Sequence, residues 1–440
     1  MNFDKTRLFF LCLSWFCATF NIFFSQTISI FTNVGVLSLF FFVTLTFSCL
    51  RRESIFIIML LFIVAIFFLD SFPSLDDIIS GGRFILVFSA LLPTMILVRA
   101  VSLKMERIKK TQNLLKTLPN QISVSAFQIV SHFFGSVINT GTFSILSSAL
   151  PKDCNKFFRK NIAEACLRGM STSAMWSPFF VAFAVGQAFI EKTNSWIAML
   201  CGFFFGILFN IISLIVFADG LTLRQIKLFL SCLSPVIPIL FIILISVLSV
   251  SLIFNFTALS AVLVVMPSLI IIYFIFYSKD FPEIFSNTKS WLLKTFDDIT
   301  VISFAMLIGY LISRSNTINN IDLLFYLSMF PSWSILTVTP LIITLFSFFG
   351  IHPIVTSTIA LSILTSEKTE IHPALIMQAH LVGWAGGTMS SVASLSVLTC
   401  SNLFQIESRK LAFGPNLLTA TLFSFLSGII LSFINYLIYN

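Results

Sequence analysis

A short polar sequence, GSVINTGT, interrupts the apolar residues 122–150. It offers the amide of Asn139, the hydroxyls of Thr140 and Thr142, and the conformational freedom of Gly141. A glycine in a helix costs about 1 kcal/mol relative to alanine, and backbone groups freed by a break inside hydrocarbon need other partners. Amides and hydroxyls at such a break can bind an anion through their hydrogens or a cation through their oxygens. We therefore expect a ligand site here, with Asn139 as the expected contact for a sodium ion.

Two similar sequences, MSTSAMWS from Met170 and MSSVASLS from Met389, place small hydroxyl side chains in other apolar runs. Hydroxyls at an unwound helix can contact a ligand, but serine and threonine in membrane helices also bond backbone carbonyls and pack helices together. Both interpretations stay open for this set. The residues predicted to bind substrate are Asn139, Thr140, Gly141, Thr142, Ser171, Thr172, Ser173, Thr388, Ser390, Ser391 and Ser394.

All four histidines of the chain lie in or beside apolar runs. His132 and His380 are inside such runs, where an ionisable group suggests proton coupling; the alternative is a neutral histidine bonded to a neighbouring helix. His352 and His372 stand in GIHP and EIHP, which are predicted helix starts. Arg168, just before the first hydroxyl-rich sequence, could attract an anion or extend toward the membrane surface.

The composition excludes a water-soluble globular protein. Hydrophobic residues make up 57% of the chain and charged residues 10%, where a soluble domain has about a quarter charged. Apolar runs of about 20 residues recur from end to end, so we expect an all-α polytopic membrane protein surrounded by lipids. The net charge of +8 falls in clusters at alternate connections, which is the positive-inside pattern and argues against nucleic-acid binding. The expected location is the inner (cytoplasmic) membrane of a bacterium.

The charge pattern predicts about eleven transmembrane helices and two re-entrant helical hairpins. Residues 1–50 form uncleaved anchor spans, starting from a cytoplasmic N-terminus. Residues 51–228 form a first repeat with a cytoplasmic-side hairpin at 122–150. Residues 229–440 form an inverted second repeat with an external-side hairpin at about 321–350 and an external C-terminus. The first hairpin follows from basic clusters on both flanks and from two arms of about 14 residues, each reaching only ~21 Å of the ~30 Å core. An ordinary span with small residues for close packing is the alternative.

Internal sequence similarity supports two related halves. SILSSALP from Ser144 resembles SILTVTP from Ser334, and MSTSAMWS resembles MSSVASLS. A competing register pairs HFFGSVINT at His132 with HLVGWAGGT at His380. Opposed repeats, hairpins and interrupted helices are typical of secondary transporters that bind substrate near the membrane midplane.

INTGTFSILSSALP, RGMSTSAMWSP and FFGIHPIV resemble sequence elements of the ion transporter superfamily. That superfamily includes divalent anion/sodium symporters, citrate and arsenite carriers, and the large membrane subunits of tripartite periplasmic transporters. The resemblance covers most of residues 50–438 in architecture. Ile138 replaces the serine of the Ser-Asn-Thr hairpin-tip pattern, and the second tip, FPSWS, lacks Asn-Thr.

The resemblance implies an elevator-type secondary transporter that moves a small anionic, carboxylate-type solute, coupled to Na⁺ or H⁺, as a homodimer. No resident cofactor is expected. The alternative is a membrane enzyme acting on lipid-linked substrates through Asp70, Asp76, Asp77 and Arg83. HExxH, GxSxG and P-loop sequences are absent, so we expect a carrier without catalytic residues.

Overall fold

The computed structural model describes residues 3–24, 29–69, 71–150, 154–218, 222–315, 330–366 and 370–439. These residues form helices and connections, without a β-strand among them. A 3₁₀ turn at Ser278–Asp280 precedes α15. In chain order the helices are α1 (Phe3–Phe24), α2 (Ser29–Phe47), α3 (Arg52–Phe68), α4 (Leu75–Ile85), α5 (Phe88–Ser102), α6 (Glu106–Lys116), α7 (Asn120–Ile138), α8 (Gly141–Ser147), α9 (Lys156–Ser173), α10 (Val181–Phe189), α11 (Lys192–Phe217), α12 (Leu223–Leu233), α13 (Ile237–Ile253), α14 (Ala258–Phe276), α15 (Phe281–Leu292), α16 (Phe296–Ser313), α17 (Ser332–Phe348), α18 (Pro353–Ser366), α19 (Pro373–Ser390), α20 (Leu395–Phe404), α21 (Ser408–Ala412) and α22 (Pro415–Tyr439).

Several of these helices are long and apolar enough to cross a membrane. Within the described ranges, seven stretches meet that condition: Ile30–Phe47, Leu75–Ser102, Lys192–Phe217, Ala258–Phe276, Phe296–Ser313, Pro373–Phe404 and Ser408–Tyr439. An eighth is obtained if α12 and α13, bent by 70°, form a single span. The protein is therefore an all-helical integral membrane protein.

The predicted number of eleven spans is larger than this set. Helices α1 and α3 are not among the seven stretches, and residues 174–180 separate α9 from α10. The 17 residues of α3 extend about 26 Å, short of the ~30 Å core without tilt or flanking turns. Eleven spans stay a prediction.

The chain divides into two compact units, each assembled from separated segments. Unit 1 comprises residues 1–101, 247–329 and 362–368, and unit 2 comprises residues 102–246, 330–361 and 369–440. In unit 1, α1 packs along α2, and α16 contacts α2, α3 and α4. Arg51 joins the start of α3 to the start of α16, because its guanidinium bonds Asp297 Oδ2 at 3.0 Å and Asp298 Oδ1 at 3.2 Å.

Unit 2 contains the predicted first hairpin, and its two neighbouring long helices run in the same direction. A Cβ at Gly169 of α9 would lie 2.1 Å from Gln128 O of α7, and one at Gly135 would lie 2.8 Å from Ser173 Oγ. Residue numbers thus rise together along α7 and α9. Because α7 and α9 are parallel, the chain must return between the end of α7 and the start of α9. The turn after α7 and helix α8 lie in this returning segment, so α7 and α8 form a hairpin.

The same relation occurs a second time in unit 2. A Cβ at Gly383 of α19 would lie 2.9 Å from Pro340 Cα of α17, and one at Gly387 would lie 2.5 Å from Ser347 Oγ. These two helices are therefore also parallel, and the chain reverses at Gly350, whose φ is +90°. Residues 321–329, the start of the predicted second hairpin, lie outside the described residues. The expected tip, FPSWS, leads into the uninterrupted helix α17, so the turn lies instead at Gly350, where the predicted hairpin ends.

Two pairs of helices are separated by short interruptions: the first break, residues 174–180, lies between α9 and α10, and the second break, residues 391–394, lies between α19 and α20. The helices after these two breaks pack in a crossed manner. Helix α10 packs antiparallel to α19, because His380 bonds Ala182 O and Met377 lies 3.1 Å from the Cβ position of Gly186. Helix α20 packs antiparallel to α9: Cys400 Sγ lies 3.5 Å from Ala163 O, and Arg159 of α9 bonds a residue just past the end of α20. Each helix that precedes one break thus packs against the helix that follows the other.

The packing of the helices shows which of the similar sequence pairs lie in corresponding helices of the two halves. MSTSAMWS and MSSVASLS lie at the ends of α9 and α19, which hold corresponding positions after a hairpin. SILSSALP and SILTVTP lie in α8 and α17, and the HFFG/HLVG register pairs α7 with α19, so these two pairings join non-corresponding helices. The division into 1–50, 51–228 and 229–440 stays a prediction, and each unit contains parts of both predicted repeats.

Candidate functional site

The first hairpin reverses at Asn139. This residue has φ 56° and ψ −137°, its N–H donates to Gly135 O, and its own Oδ1 accepts the Thr140 N–H at 2.8 Å. Such angles match the first central position of a type II′ turn, which favours glycine. Gly141 instead begins α8 and is not among the residues with positive φ in the described chain. The sequence predicts that Gly141 is the residue that allows the tight turn. The structure corrects this expectation, because the residue with positive φ is Asn139.

Two predicted ligand residues carry hydroxyls without any hydrogen-bond partner. Thr142 Oγ1 in α8 and Ser171 Oγ in α9 are both completely buried and both lack a partner among the described residues. An unpaired buried hydroxyl costs about 1–3 kcal/mol, so such groups usually serve a further purpose. These two side chains have the free bonding capacity that a ligand contact requires.

Other predicted ligand residues use their hydroxyls to bond nearby backbone carbonyls of the same chain segment. Each donates to a carbonyl three to six residues earlier, at 2.6–3.0 Å, as membrane helices commonly show. These side chains therefore fit the alternative in which serine and threonine bond backbone carbonyls and do not contact a ligand: Thr172, Ser173, Thr388, Ser390 and Ser394.

The second break, at 391–394, is ordered by its own serines. Ser391 N–H donates to Gly387 O, and Ser394 N–H donates to Ser391 O. Ser394 Oγ also accepts the Val397 N–H at 3.1 Å and so caps the start of α20. No hydrogen bond joins the described tip residues 139–142 to either break.

His132 lies in a buried polar cluster between α7, α9 and α11. Its Nε2 accepts the Trp176 Nε1–H at 3.2 Å, and its Nδ1 lies 3.1 Å from Thr172 Oγ1 and 3.3 Å from Gly169 O. Asn210 donates to Gly206 O at 2.8 Å and to Thr172 Oγ1 at 3.1 Å. Both ring nitrogens of His132 therefore have partners.

Arg168 is a fully enclosed cation, with 2% of its side chain exposed. Its Nε donates to Gln128 Oε1 at 3.2 Å, its Nη1 donates to Asn416 Oδ1 at 2.9 Å, and its guanidinium lies 4.6 Å from the centre of the Phe217 ring. No ion pair joins it to a carboxylate in the described part of the chain. Glu164, one turn earlier, lies 3.3 Å from the Lys160 ammonium.

Arg168 is a candidate from the sequence alone, whereas the residues that hold it are visible only in the structure. Gln128 bonds both Arg168 and Asn210, and Ser213 donates to the same Gln128 oxygen at 3.2 Å. Isolated amide residues in otherwise apolar helices were the available signal, because a buried amide needs partners. The position of Asn416, far along the chain from Arg168, gave no such indication.

His380 and Gln378 lie on α19 beside the first break. His380 bonds Ala182 O through Nε2 at 2.9 Å, while its buried Nδ1 has no hydrogen-bond partner in the part of the chain that the structure describes. Gln378 is also buried, with neither amide atom partnered, and its Oε1 lies 2.9 Å from the Cβ position of Gly202. The second half of the chain therefore contributes polar atoms around the break in the first.

The other two histidines act as helix caps, which confirms the predicted helix starts. His352 Nδ1 accepts the Ile354 N–H at 3.1 Å, and His372 Nδ1 accepts the Ala374 N–H at 3.3 Å. Each precedes a proline at the first helical position, where the missing N–H carries no cost. Their bonding gives them a local structural role.

The acidic residues considered for an enzyme are placed in unit 1. Asp77 accepts from Ser74 N–H and Oγ–H and belongs to the capping box of α4. Arg83 donates to Asn33 Oδ1 at 3.3 Å and borders a cavity of about 320 Å³. Asp76 lies in the first turn of α4, and Asp70 lies outside the described residues. This arrangement supplies helix capping and a polar pocket.

Among the described residues, no group of three or more His, Cys, Asp or Glu side chains could hold a metal ion. The sodium ion expected near Asn139 stays a prediction, as does proton coupling. No protein-family profile matches the chain, and no curated protein sequence matches it.

Proposed function

We propose that this protein is an ion-coupled secondary transporter that moves a small anionic, carboxylate-type solute across the bacterial inner membrane by an elevator-like mechanism. The proposed architecture has eleven spans, two re-entrant hairpins and two inverted repeats. The crossed packing of α9 with α20 and of α10 with α19 is the observation that carries the proposal.

Crossed, interrupted helices suit transport because they create polar backbone inside an apolar protein. Residues 174–180 and 391–394 interrupt two helices within one unit, each after a pair of parallel helices. Broken helices and hairpins at a repeat interface are the usual substrate sites of secondary transporters. Each unit contains parts of both predicted repeats, as expected when one unit moves as a body and the other stays fixed.

The proposed preference for an anion rests on the local charge. Arg168 is a buried cation that makes no direct ion pair among the described residues; Glu164, one turn earlier, interacts with it at longer range and pairs directly with Lys160. A buried charge is costly unless it is compensated. Its two amide partners and the Phe217 ring provide partial compensation, leaving a positive potential that favours an anion entering unit 2.

Thr142 and Ser171 are the proposed direct contacts, because their hydroxyls are buried and have no hydrogen-bond partner within the described ranges. The remaining hydroxyls shape the breaks. A thermal-stability assay of the purified protein in detergent tests this assignment, with acetate, succinate, citrate and neutral glucose as probes. We expect stabilisation by at least one carboxylate and none by glucose, as binding to the folded state requires. Stabilisation by glucose but by no carboxylate would contradict the proposed substrate class.

A further inference from the structure

The hydrogen bonds of His380 define its neutral form. Ala182 O can only accept a hydrogen bond, so the Nε2 that approaches it to 2.9 Å carries the hydrogen. A neutral imidazole has one N–H, and the Nδ1 of His380 therefore holds a lone pair. That lone pair is buried and faces no hydrogen-bond donor among the described residues. His380 thus has a vacant proton-accepting atom.

His132 has the opposite arrangement. Trp176 Nε1–H can only donate, so His132 Nε2 must be the acceptor and Nδ1 carries the hydrogen. Thr172 Oγ1 and Gly169 O both lie within reach of that hydrogen. The Asn210 amide nitrogen also lies 3.2 Å from Nδ1, but its two hydrogens have acceptors in Gly206 O and Thr172 Oγ1. A second proton on His132 would point Nε2–H directly at the Trp176 N–H. The surroundings of His132 therefore hold it in one neutral form.

The ionisable side chains on the described helices that pack against α19 do not bond His380. Helices α10 and α17 carry no ionisable side chain. On α9, α11, α20, α21 and α22 the ionisable side chains make no ion pair or hydrogen bond with His380; they are Lys156, Arg159, Lys160, Glu164, Cys166, Arg168, Lys192, Cys201, Cys400, Arg409, Lys410, Tyr436 and Tyr439. The Trp384 ring makes an edge contact with His380 and also contacts His352.

We infer that His380, and not His132, accepts the coupling proton, through its vacant Nδ1. The inference rests on the proposed transport function and specifies its coupling ion. A proton from solvent on one side of the membrane bonds to Nδ1 and converts the imidazole to an imidazolium. The same proton leaves Nδ1 toward the other side, so the ring returns to the neutral Nε2–H form.

The location of His380 links this proton to the moving parts of the site. Its Nε2–H holds the second residue of α10, directly after the first break, and its ring lies 3.4 Å from the Cβ position of Gly186 in the same short helix. A positive charge added at this contact, where no carboxylate compensates it, disfavours close burial of the ring. An anionic solute near the break would restore the balance, which couples proton and solute binding.

Nitrogen-15 NMR of protein labelled at histidine tests the assignment without any transport measurement, because the chain has only four histidines. His380→Gln and His132→Gln spectra assign the signals. We expect His380 to show the Nε2–H form at high pH and to gain a proton more readily as the pH falls when a transported anion is present than when it is absent, while His132 keeps the Nδ1–H form in both cases. A His380 signal that stays neutral at every pH at which the protein remains folded, with and without the anion, would overturn the inference.

Uptake by the same variants completes the test. Glutamine at 380 keeps an N–H donor for Ala182 O but cannot take a proton, so uptake driven by a pH gradient should fall at least ten-fold while the protein remains folded. His132→Gln keeps an acceptor for Trp176 and should retain the pH dependence. If His380→Gln still accumulates solute under a pH gradient, or if a sodium gradient alone drives both proteins equally, His380 is not the coupling residue although transport itself is established. Absence of uptake by the wild type would contradict the proposed function first.

Discussion

Asn139 and Gly350 hold corresponding positions in the two hairpin turns. Each closely follows the first of two parallel helices, and each has positive φ, at 56° and 90°. Gly350 allows a Schellman-type end, with Gly350 N–H bonded to Ser347 O and Ile351 N–H bonded to Phe346 O. Asn139 takes a similarly restricted backbone but retains a side-chain amide. Its conformational cost, of roughly 1–3 kcal/mol, indicates that the amide has a use at the turn.

Substitutions of Asn139 separate the effect of its strained backbone on stability from the effect of its side-chain amide on substrate affinity. We expect Asn139→Gly to raise stability by about 1 kcal/mol, because glycine adopts this conformation without strain. The same substitution should lower apparent substrate affinity about ten-fold, equivalent to ~1.4 kcal/mol, because the carboxamide is lost. Thermal unfolding and uptake measured on one preparation give both quantities.

Asn139→Ala is the matched variant, since it lacks the amide but keeps the strain. It should lose the same affinity and also lose stability. Unchanged affinity in the folded Asn139→Gly protein would show that the tip serves only as a turn.

The unpartnered hydroxyls give a prediction in which stability and affinity change in opposite directions. Thr142→Val and Ser171→Ala should leave the ligand-free protein equally stable or slightly more stable, because each removes a buried group without a partner. Each should weaken substrate binding by several-fold or more. Ser390→Ala serves as the control, since its hydroxyl donates to Gly386 O at 2.8 Å and should not affect affinity. Equal effects of all three on binding would contradict the distinction.

Arg168 is expected to tolerate no conservative replacement. Lysine retains the charge but cannot reach Gln128 and Asn416 with a planar fork, so Arg168→Lys should reduce uptake at least ten-fold. Arg168→Gln removes the charge, leaves the Asn416 amide oxygen without its donor while Ser213 still bonds the Gln128 oxygen, and should cost about 1–3 kcal/mol in stability. Comparing the variants by thermal unfolding and uptake separates charge from packing. Full uptake by folded Arg168→Gln would exclude an electrostatic role.

Close contact between the parallel helices α7 and α9 depends on Gly169. A Cβ there would lie 2.1 Å from Gln128 O, so Gly169→Ala must separate the helices and should destabilise the protein by about 1–3 kcal/mol. It should also disturb the Arg168 contact with Gln128. Ala163→Ser on the same helix is a size-matched addition for comparison. A Gly169→Ala protein with wild-type stability would show that the helices are less closely packed than described.

Membrane topology provides an independent test of the first hairpin. Parallel α7 and α9 place the start of each helix at the same end of the pair. Single cysteines replacing Lys116 and Asn155 in a cysteine-free protein should react with an impermeant thiol reagent from the same side of the membrane. Reaction from opposite sides would replace the hairpin with an ordinary span.

The sequence predicted the positions of turns, helix starts and helix interruptions better than it predicted which side chains contact each other. The turn near Asn139, the helix starts at His352 and His372, and the interruptions after Ser173 and Ser390 all follow from local residue types. Which hydroxyls bond their own helix could not be predicted, because lipid-facing and protein-facing surfaces are both apolar and a membrane helix lacks a clear inward face. Contacts such as Arg168 with Asn416 depend on helices distant in the chain. Positive φ at Asn139 was missed because the adjacent Gly141 offered a simpler turn residue.

Accumulation of a labelled anion in proteoliposomes tests the central claim most directly. Purified protein is reconstituted and presented with labelled acetate, succinate and citrate, while sodium and proton gradients are imposed separately and protein-free liposomes serve as background. The account predicts that at least one anion accumulates above its external concentration under an ion gradient, and that Ser171→Ala reduces the initial rate while Ser390→Ala does not. Correctly inserted, monodisperse protein that accumulates none of these anions under either gradient would contradict it.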